Sequence, residues 1–335
     1  MKMYKGFDKD LKCCDFQYEI GKAYEEPTAE LCEKGFHACE YPLDVFGYYA
    51  PGDMSRYCEV DLDDVSDKKS NEDSKRCGRK IAVKAEIGIA GLVKAAVEYT
   101  MEKAIPENSE HATGDYGAAS ATGDYGAASA TGWKGAASAT GWKGAASATG
   151  DYGAASATGW KGAASATGNQ GAASATGDCG AASATGDYGA ASATGNQGAA
   201  SATGDCGAAS ATGDYGAASA TGNQGAASAT GDCGAASATG NCGAASATGD
   251  YGAASATGNY GAASATGTES VAAALGIDSK AKGALGCWIV IAEWERDEEF
   301  DWHRKDVQCF KVDGENIKPD TWYKLKNGKI VEADE

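Results

Sequence analysis

Three observations predict a mainly β fold built on a two-sided parallel β-solenoid, a β-roll of nine-residue units. From Gly114 to Gly267 a glycine recurs every nine residues, giving 17 units of the form G-x-x-G-A-A-S-A-T with no insertion or deletion. Almost all Phe, Leu, Ile and Val lie before about residue 110 or after about residue 270, so the middle has mainly methyl and hydroxyl groups to pack. Only the two residues after each leading glycine vary. A unit this small cannot bury a face alone and is stabilised by its neighbours. A Gly- and Ser-rich linker needs composition but no register. The unbroken register therefore favours an ordered lattice.

The unit divides by its own chemistry. "AASAT" contains neither Pro nor Gly and is long enough for a short strand, while "GxxG" has the small size and backbone freedom of a tight corner. Glycine at every fourth or fifth position excludes a helix. Asp and Asn open most of the variable pairs and suit corners because they tolerate left-handed backbone. The Trp-Lys pairs at 133–134, 142–143 and 160–161 do not follow that rule.

The later pairs echo as DC-DY-NQ every three units, which suggests a triangular coil. A triangle with sides of nine residues encloses more volume than Ala, Ser and Thr fill, and unfilled core is costly. Two units per coil need only a thin core and give a rod of about 40 Å. Lys280 and Lys282 fall in the column of the first Ala and the Ser, and lysines face water. Ala119, Ala121 and their equivalents are therefore expected inside, with ladders of Ser and Thr outside. In "GTESVAAALG" the outer column carries Val271, Ala273 and Leu275, an apolar strip that needs a cover from a terminal domain or another subunit.

Residues 1–110 read as a small α+β module that caps the start of the array, which occupies 111–286. Its strands are expected at "MYKGF", "QYEIGKAYE", "GFHAC" and "RYCEVDL", with a short helix over "PLDVFGYY". A longer helix from Gly91 places Leu92, Val93, Ala96, Val97 and Met101 on one face, and Pro106 ends the segment. Residues 287–335 read as a β-rich cap with strands at "CWIVIAEWE" and "VQCFKV" and a hairpin over "WYKLKNGKIVEA", turning at Asn327-Gly328. The stretch "ERDEEFDWHRKD" is expected to be a solvated loop. Caps matter because an open solenoid end exposes strand edges.

A net charge of −18 argues against nucleic acid as a partner. No apolar run suits a secretory signal or a membrane span, so the expectation is a cytoplasmic protein with reduced thiols, with virion association as an alternative and no membrane partner. Cys13, Cys14, Cys32, His37, Cys39, Cys58 and Cys77 gather soft ligands but include no C-x-x-C pair, so neither a metal nor another cofactor is expected. The array cysteines Cys179, Cys206, Cys233 and Cys242 are expected to be exposed at corners. His111 and His303 are isolated, which leaves no Ser-His-Asp or Cys-His set.

The reading that follows is a non-enzymatic structural or interaction protein, a capped rod presenting Ser and Thr ladders and variable corners to a macromolecular partner. Its candidate binding surface is Ser120, Thr122, Ser129, Thr131, Trp133, Trp142, Tyr152, Trp160, Tyr188 and Tyr215. Regular hydroxyl rows also suit an ordered surface such as ice or a glycan lattice. Mimicry of DNA is weakened by the corners, whose nine Asp and three Lys carry little net charge over 17 units.

Three resemblances add to this. "ESVAAALGIDSKAKGALG" resembles the head repeats of YadA-type trimeric adhesins, which implies a β-roll and a homotrimer. With "KGFHACEYPLDVFGYY", the array, "SKAKGALGCWIVIAEW" and "IKPDTWYKLKNGKIVE", the whole chain resembles an uncharacterised family of phage and prophage proteins. That likeness brings no activity with it. The order "YKGF … KGFHACEYPLDVFGYY … YCEVDL" is distantly similar to ADP-ribosyltransferases. Lys5 stands where that family has His or Arg, His37 where it has a pocket Tyr, and Glu86 is the candidate for its glutamate. The departures imply a degenerate module lacking the groups that bind ribose and polarise nicotinamide.

Overall fold

A computed structural model describes every residue except 15, 32, 52–54, 69, 71–72, 104–108 and 335, with the backbone alone at 100–103 and 109. Cys32, Pro106 and the Met101 side chain thus lie outside the described residues.

The N-terminal strands are β1 (Lys2–Phe7), β2 (Lys12–Cys13), β3 (Phe16–Gln17), β4 (Ala23–Glu25), β5 (Phe36–Cys39), β6 (Arg56–Val65) and β7 (Lys75–Glu86). Five of them form a sheet in the order β4-β7-β5-β1-β6, and β7 also pairs with β6, which rolls the sheet into a small antiparallel barrel. Met3, Phe7, Val60, Leu62, Ile81 and Val83 fill it. Strand β7 is a departure from the sequence expectation. Arg76, Arg79, Lys80 and Lys84 break up its apolar pattern, yet Cys77, Ile81 and Val83 still reach the core. The expected strand "QYEIGKAYE" is also interrupted, because Gly21 turns at a φ of 83° and only Ala23–Glu25 joins the barrel. A 3-10 helix, Pro42–Gly47, follows β5, and α1 spans Gly88–Lys103, beginning three residues before the expected start.

The array begins with β8 (Ser109–Thr113). Strands β9 to β25 then follow at nine-residue steps from Ala118–Thr122 to Ala262–Thr266, and β26 (Val271–Ala274) and β27 (Lys280–Gly283) end it. Each strand pairs in parallel and in register with the next but one, as Ala127 with Ala145 and Thr131 with Thr149. Two units therefore make one coil, and two sheets of twelve strands face each other. The alanines at the second and fourth positions of each AASAT strand point inward and build a thin methyl core, while Thr faces out throughout. Lys280 and Lys282 point outward and flank the buried Ala281, as their register requires.

The corners work differently from the expectation. The left-handed backbone belongs to the leading glycine rather than to Asp or Asn. Gly150 has a φ of 150°, and a Cβ there would sit 1.7 Å from the carbonyl oxygen of Gly132 one coil away. Coils stacked this closely leave no room for a side chain at that position, which accounts for the strict nine-residue glycine period. Where a larger residue takes positive φ it is the second of the pair, as at Cys242 (53°) and Tyr260 (58°).

The N-terminal module does not sit over the first coil. It lies along the side of the roll, with α1 crossing β10 (Ala127–Thr131) to β18 (Ala199–Thr203) on one sheet. Leu92, Val93, Ala96 and Val97 pack on Ala145, Ala163, Ala181 and Ala199, because the first Ala of each strand gives that sheet a flat apolar outer face. This is the covered sheet. The other, containing β9 and the odd-numbered strands to β27, is the open sheet, and the matching Ala136, Ala154 and Ala172 are exposed. At the first coil, β8 and β9 each have one paired edge, and the Glu110 carboxylate accepts a hydrogen bond from the Ser120 backbone N–H at 2.6 Å.

At the other end the sheets continue into the C-terminal strands. β28 (Trp288–Arg296) adds in parallel to β26, and β29 (Trp302–Lys311) returns antiparallel. The hairpin of β30 (Tyr323–Lys326) and β31 (Lys329–Glu332) pairs with β27, turning through left-handed Asn327 and Gly328 as expected. The buried Glu293 carboxylate accepts the backbone N–H groups of Asn327 and Gly328 at 2.7 and 2.6 Å and so fixes the turn. The expected loop over "ERDEEFDWHRKD" is corrected. Pairing of Arg296 with Trp302 and of Glu295 with His303 draws its second half into β29, and the guanidinium groups of Arg296 and Arg304 lie over the Trp302 and Trp294 rings.

Candidate functional site

The outer face of the open sheet is one continuous groove. It runs over nine strands from Glu110 and Ser120 to Ser264 and Trp322, with a volume of about 1160 Å³, floored by the first Ala and the Ser of each strand. At its far end the ammonium groups of Lys280 and Lys282 lie 5.0 and 4.8 Å from the Trp322 ring centre. Among the ten candidate surface residues, Ser120 lines this groove and Thr122 is exposed beside it. Ser129 and Thr131 lie on the covered sheet, where Ser129 is half-buried and Thr131 is exposed.

The six aromatic candidates are all exposed and fall on two corner columns. Trp133 and Tyr152 meet edge to face at 5.6 Å, with Tyr116 next to Trp133 and the Lys134 ammonium over all three rings. Trp142 and Trp160 stack along the other column at 6.3 Å. Tyr188 and Tyr215 belong to opposite columns and are not brought together.

Sequence reasoning missed that some corners are interface residues. The Lys161 ammonium is bonded to Asp44 at 2.5 Å, with 11 % and 0 % of the two side chains exposed. Tyr41 donates its hydroxyl to the Lys161 carbonyl at 3.0 Å, and Lys143 sits over the Tyr41 ring at 4.5 Å. Cys179, one coil further on, is buried against the module, not exposed, and burial pushes its thiol up to about 11. Cys206 and Cys233 are half-buried, and only Cys242 of the array cysteines is exposed. The signal was present in the break from Asp/Asn corners to Trp-Lys at these units.

The module holds a second cavity, of about 540 Å³, and both K-G-F tripeptides line it: Lys5-Gly6 from the first, Lys34-Gly35-Phe36 from the second. It brings together Lys5 and His37, which the ADP-ribosyltransferase resemblance had paired. Glu86 is elsewhere, bound to Arg56 through Nε at 3.0 Å. His37 is held below the ordinary imidazole range by burial, with Lys5 and Lys75 adding to the effect.

Residues 1–95 match a family model. Its description is a domain of unknown function, DUF7666. The match covers the barrel and the first half of α1 and leaves the array outside it. No curated protein and no solved structure matches the chain. Among the described residues no three His, Cys, Asp or Glu side chains gather as a metal site, and no helix is long and apolar enough to cross a membrane. His111 lies exposed on β8, and His303 bonds Asp297 at 2.6 Å on the surface.

Proposed function

We propose that this is a non-enzymatic interaction protein, a β-solenoid rod, phage- or prophage-encoded, whose open sheet and aromatic corners dock a macromolecular partner. One observation carries the reading: the two sheets have the same outer face, and the chain's own α1 packs on one of them while the other forms a groove. A face that takes a helix on one side offers the same small-residue floor on the other. Copy number sets the length of that floor, and corner pairs set what is recognised along its edge.

The test compares partner recovery from host extract by full-length protein, by a Ser174→Arg/Ser192→Arg variant that fills the groove, and by Thr203→Arg on the covered sheet. The reading predicts a defined set of proteins lost only from the first variant. Identical recovery by all three removes it. The strip at Val271 and Trp288, paired neighbours 37 % and 41 % exposed, supports a homotrimer as the cover. Light scattering at three times 33.8 kDa is then expected, and a mass of one chain excludes it.

Exposed threonine columns, with Thr257 3.4 Å from Thr239 and Thr266 3.3 Å from Thr248, support a second reading as binding to ice or a glycan lattice. Ice-recrystallisation assays check it, and no effect at high concentration ends it.

A further inference from the structure

The module cavity contains chemistry that a docking rod does not use. Its floor is built by β1, β2 and the segment after the 3-10 helix. Gly6 is required there, since a Cβ would lie 2.7 Å from the Tyr49 side chain, and this close approach brings Tyr49 alongside Lys5. Lys5 is only 6 % exposed, an unusual place for an ammonium group. Its Nζ bonds the Cys13 Sγ at 3.3 Å and the His37 carbonyl at 2.9 Å, and lies 5.5 and 5.7 Å from the ring centres of Phe7 and Tyr18. A buried cation so placed stabilises a negative partner, and among the described residues the side chain that Lys5 bonds is the Cys13 thiol.

We propose that Cys13 is a nucleophile at the floor of an aromatic-walled cavity and captures a small planar electrophile of the α,β-unsaturated carbonyl class. Phe16, Tyr18, Phe36 and Tyr49 supply flat apolar walls, and the volume lies in the range of small-molecule sites. Lys5 already has its partners, so sulfur is the reactive group Cys13 offers to an incoming ligand. In the reaction the sulfur lone pair forms an S–C bond at the β-carbon and the C=C π pair moves toward the carbonyl. The proton that left the thiol ends on the α-carbon. All atoms are retained, and no oxidant is needed.

The electrostatics agree with the geometry. Burial pushes the Cys13 thiol up, but the Lys5 charge and hydrogen bonds from Tyr49, Lys5 and Cys14 outweigh it and leave the thiol below its ordinary value. The other titratable groups around the cavity are Tyr4, Tyr18, His37, Tyr48, Lys75 and Cys39, whose thiol burial pushes up, with Glu26, Glu33 and Lys34 also lining it.

Full-length protein is treated with limiting N-phenylmaleimide, and adducts are located by tandem mass spectrometry, which separates Cys13 from Cys14. Cys13 is expected to react at least tenfold faster than the exposed Cys242 and Cys309, with a pH midpoint below that of an ordinary thiol. Its preference for N-phenylmaleimide over N-ethylmaleimide is expected to exceed that of Cys309 about fivefold. Lys5→Met should slow Cys13 at least tenfold and leave Cys309 unchanged. Should that variant misfold, Tyr49→Phe and the wild-type pH profile give the same readout. A Cys13 rate no greater than that of Cys242, a midpoint at the ordinary thiol value, or equal preference for the two maleimides overturns the proposal.

Discussion

The two outer faces of the roll are built from the same pentapeptide and have opposite surroundings. On the covered sheet Ala145, Ala163, Ala181 and Ala199 have no exposed surface, whereas on the open sheet Ala136, Ala154 and Ala172 line a groove. The strands cannot account for this, since they are identical. The corners can. On the edge beside the module the variable pairs include Lys143, Lys161 and Cys179, which meet Tyr41, Asp44 and the helix; the opposite edge has Tyr152, Gln170 and Tyr188. The repeat thus makes a uniform surface, and a few corner side chains decide what lies on it.

The comparison breaks most severely at the Asp44–Lys161 pair. Asp44→Ala leaves a buried ammonium unpaired and should cost about 3–5 kcal/mol in the stability of the docked module, measured by urea unfolding. Asp44→Leu combined with Lys161→Met should recover part of that loss, since the Ser74 backbone N–H still loses the Asp44 carboxylate that accepts it at 2.6 Å. Lys134→Met on the opposite edge removes a cation from exposed rings and should cost no more than about 1 kcal/mol.

The glycines come next. Gly150→Ala places a methyl 1.7 Å from a carbonyl oxygen at a φ suited to glycine, and overpacking of this kind costs about 1–3 kcal/mol or more. Gly153→Ala meets nothing closer than 3.3 Å and should cost clearly less in the same melts. The smallest contrast is between faces. Ala163→Leu, beneath α1, should destabilise by about 1–3 kcal/mol, whereas Ala172→Leu in the groove should stay within about 0.5 kcal/mol.

Much of this architecture was legible. Period, strand, corner, two units per coil and inward Ala follow from volume and alternation, and the Asn327-Gly328 hairpin follows from turn chemistry. Strand β7 was not legible because its charged residues interrupt the apolar pattern that marks a strand, and only closure of the barrel places Ile81 and Val83 inside. The seat of α1 was hidden for a related reason. Its apolar face predicts burial but not against which surface, and the Asp44 that fixes the partner lies 117 residues from Lys161. The cavity was half legible: Lys5 and His37 were singled out through a resemblance, while Cys13 became significant only once β1 and β2 set its sulfur beside Lys5.

The seating of α1 on one of two identical faces is tested most directly by deuterium uptake, followed segment by segment in the full chain. The account predicts that α1 amides over 88–103 exchange far more slowly than those of the same peptide alone, and that Asp44→Ala releases them while residues 114–266 stay protected. Uptake by α1 in the intact protein at the rate of the free peptide would contradict it.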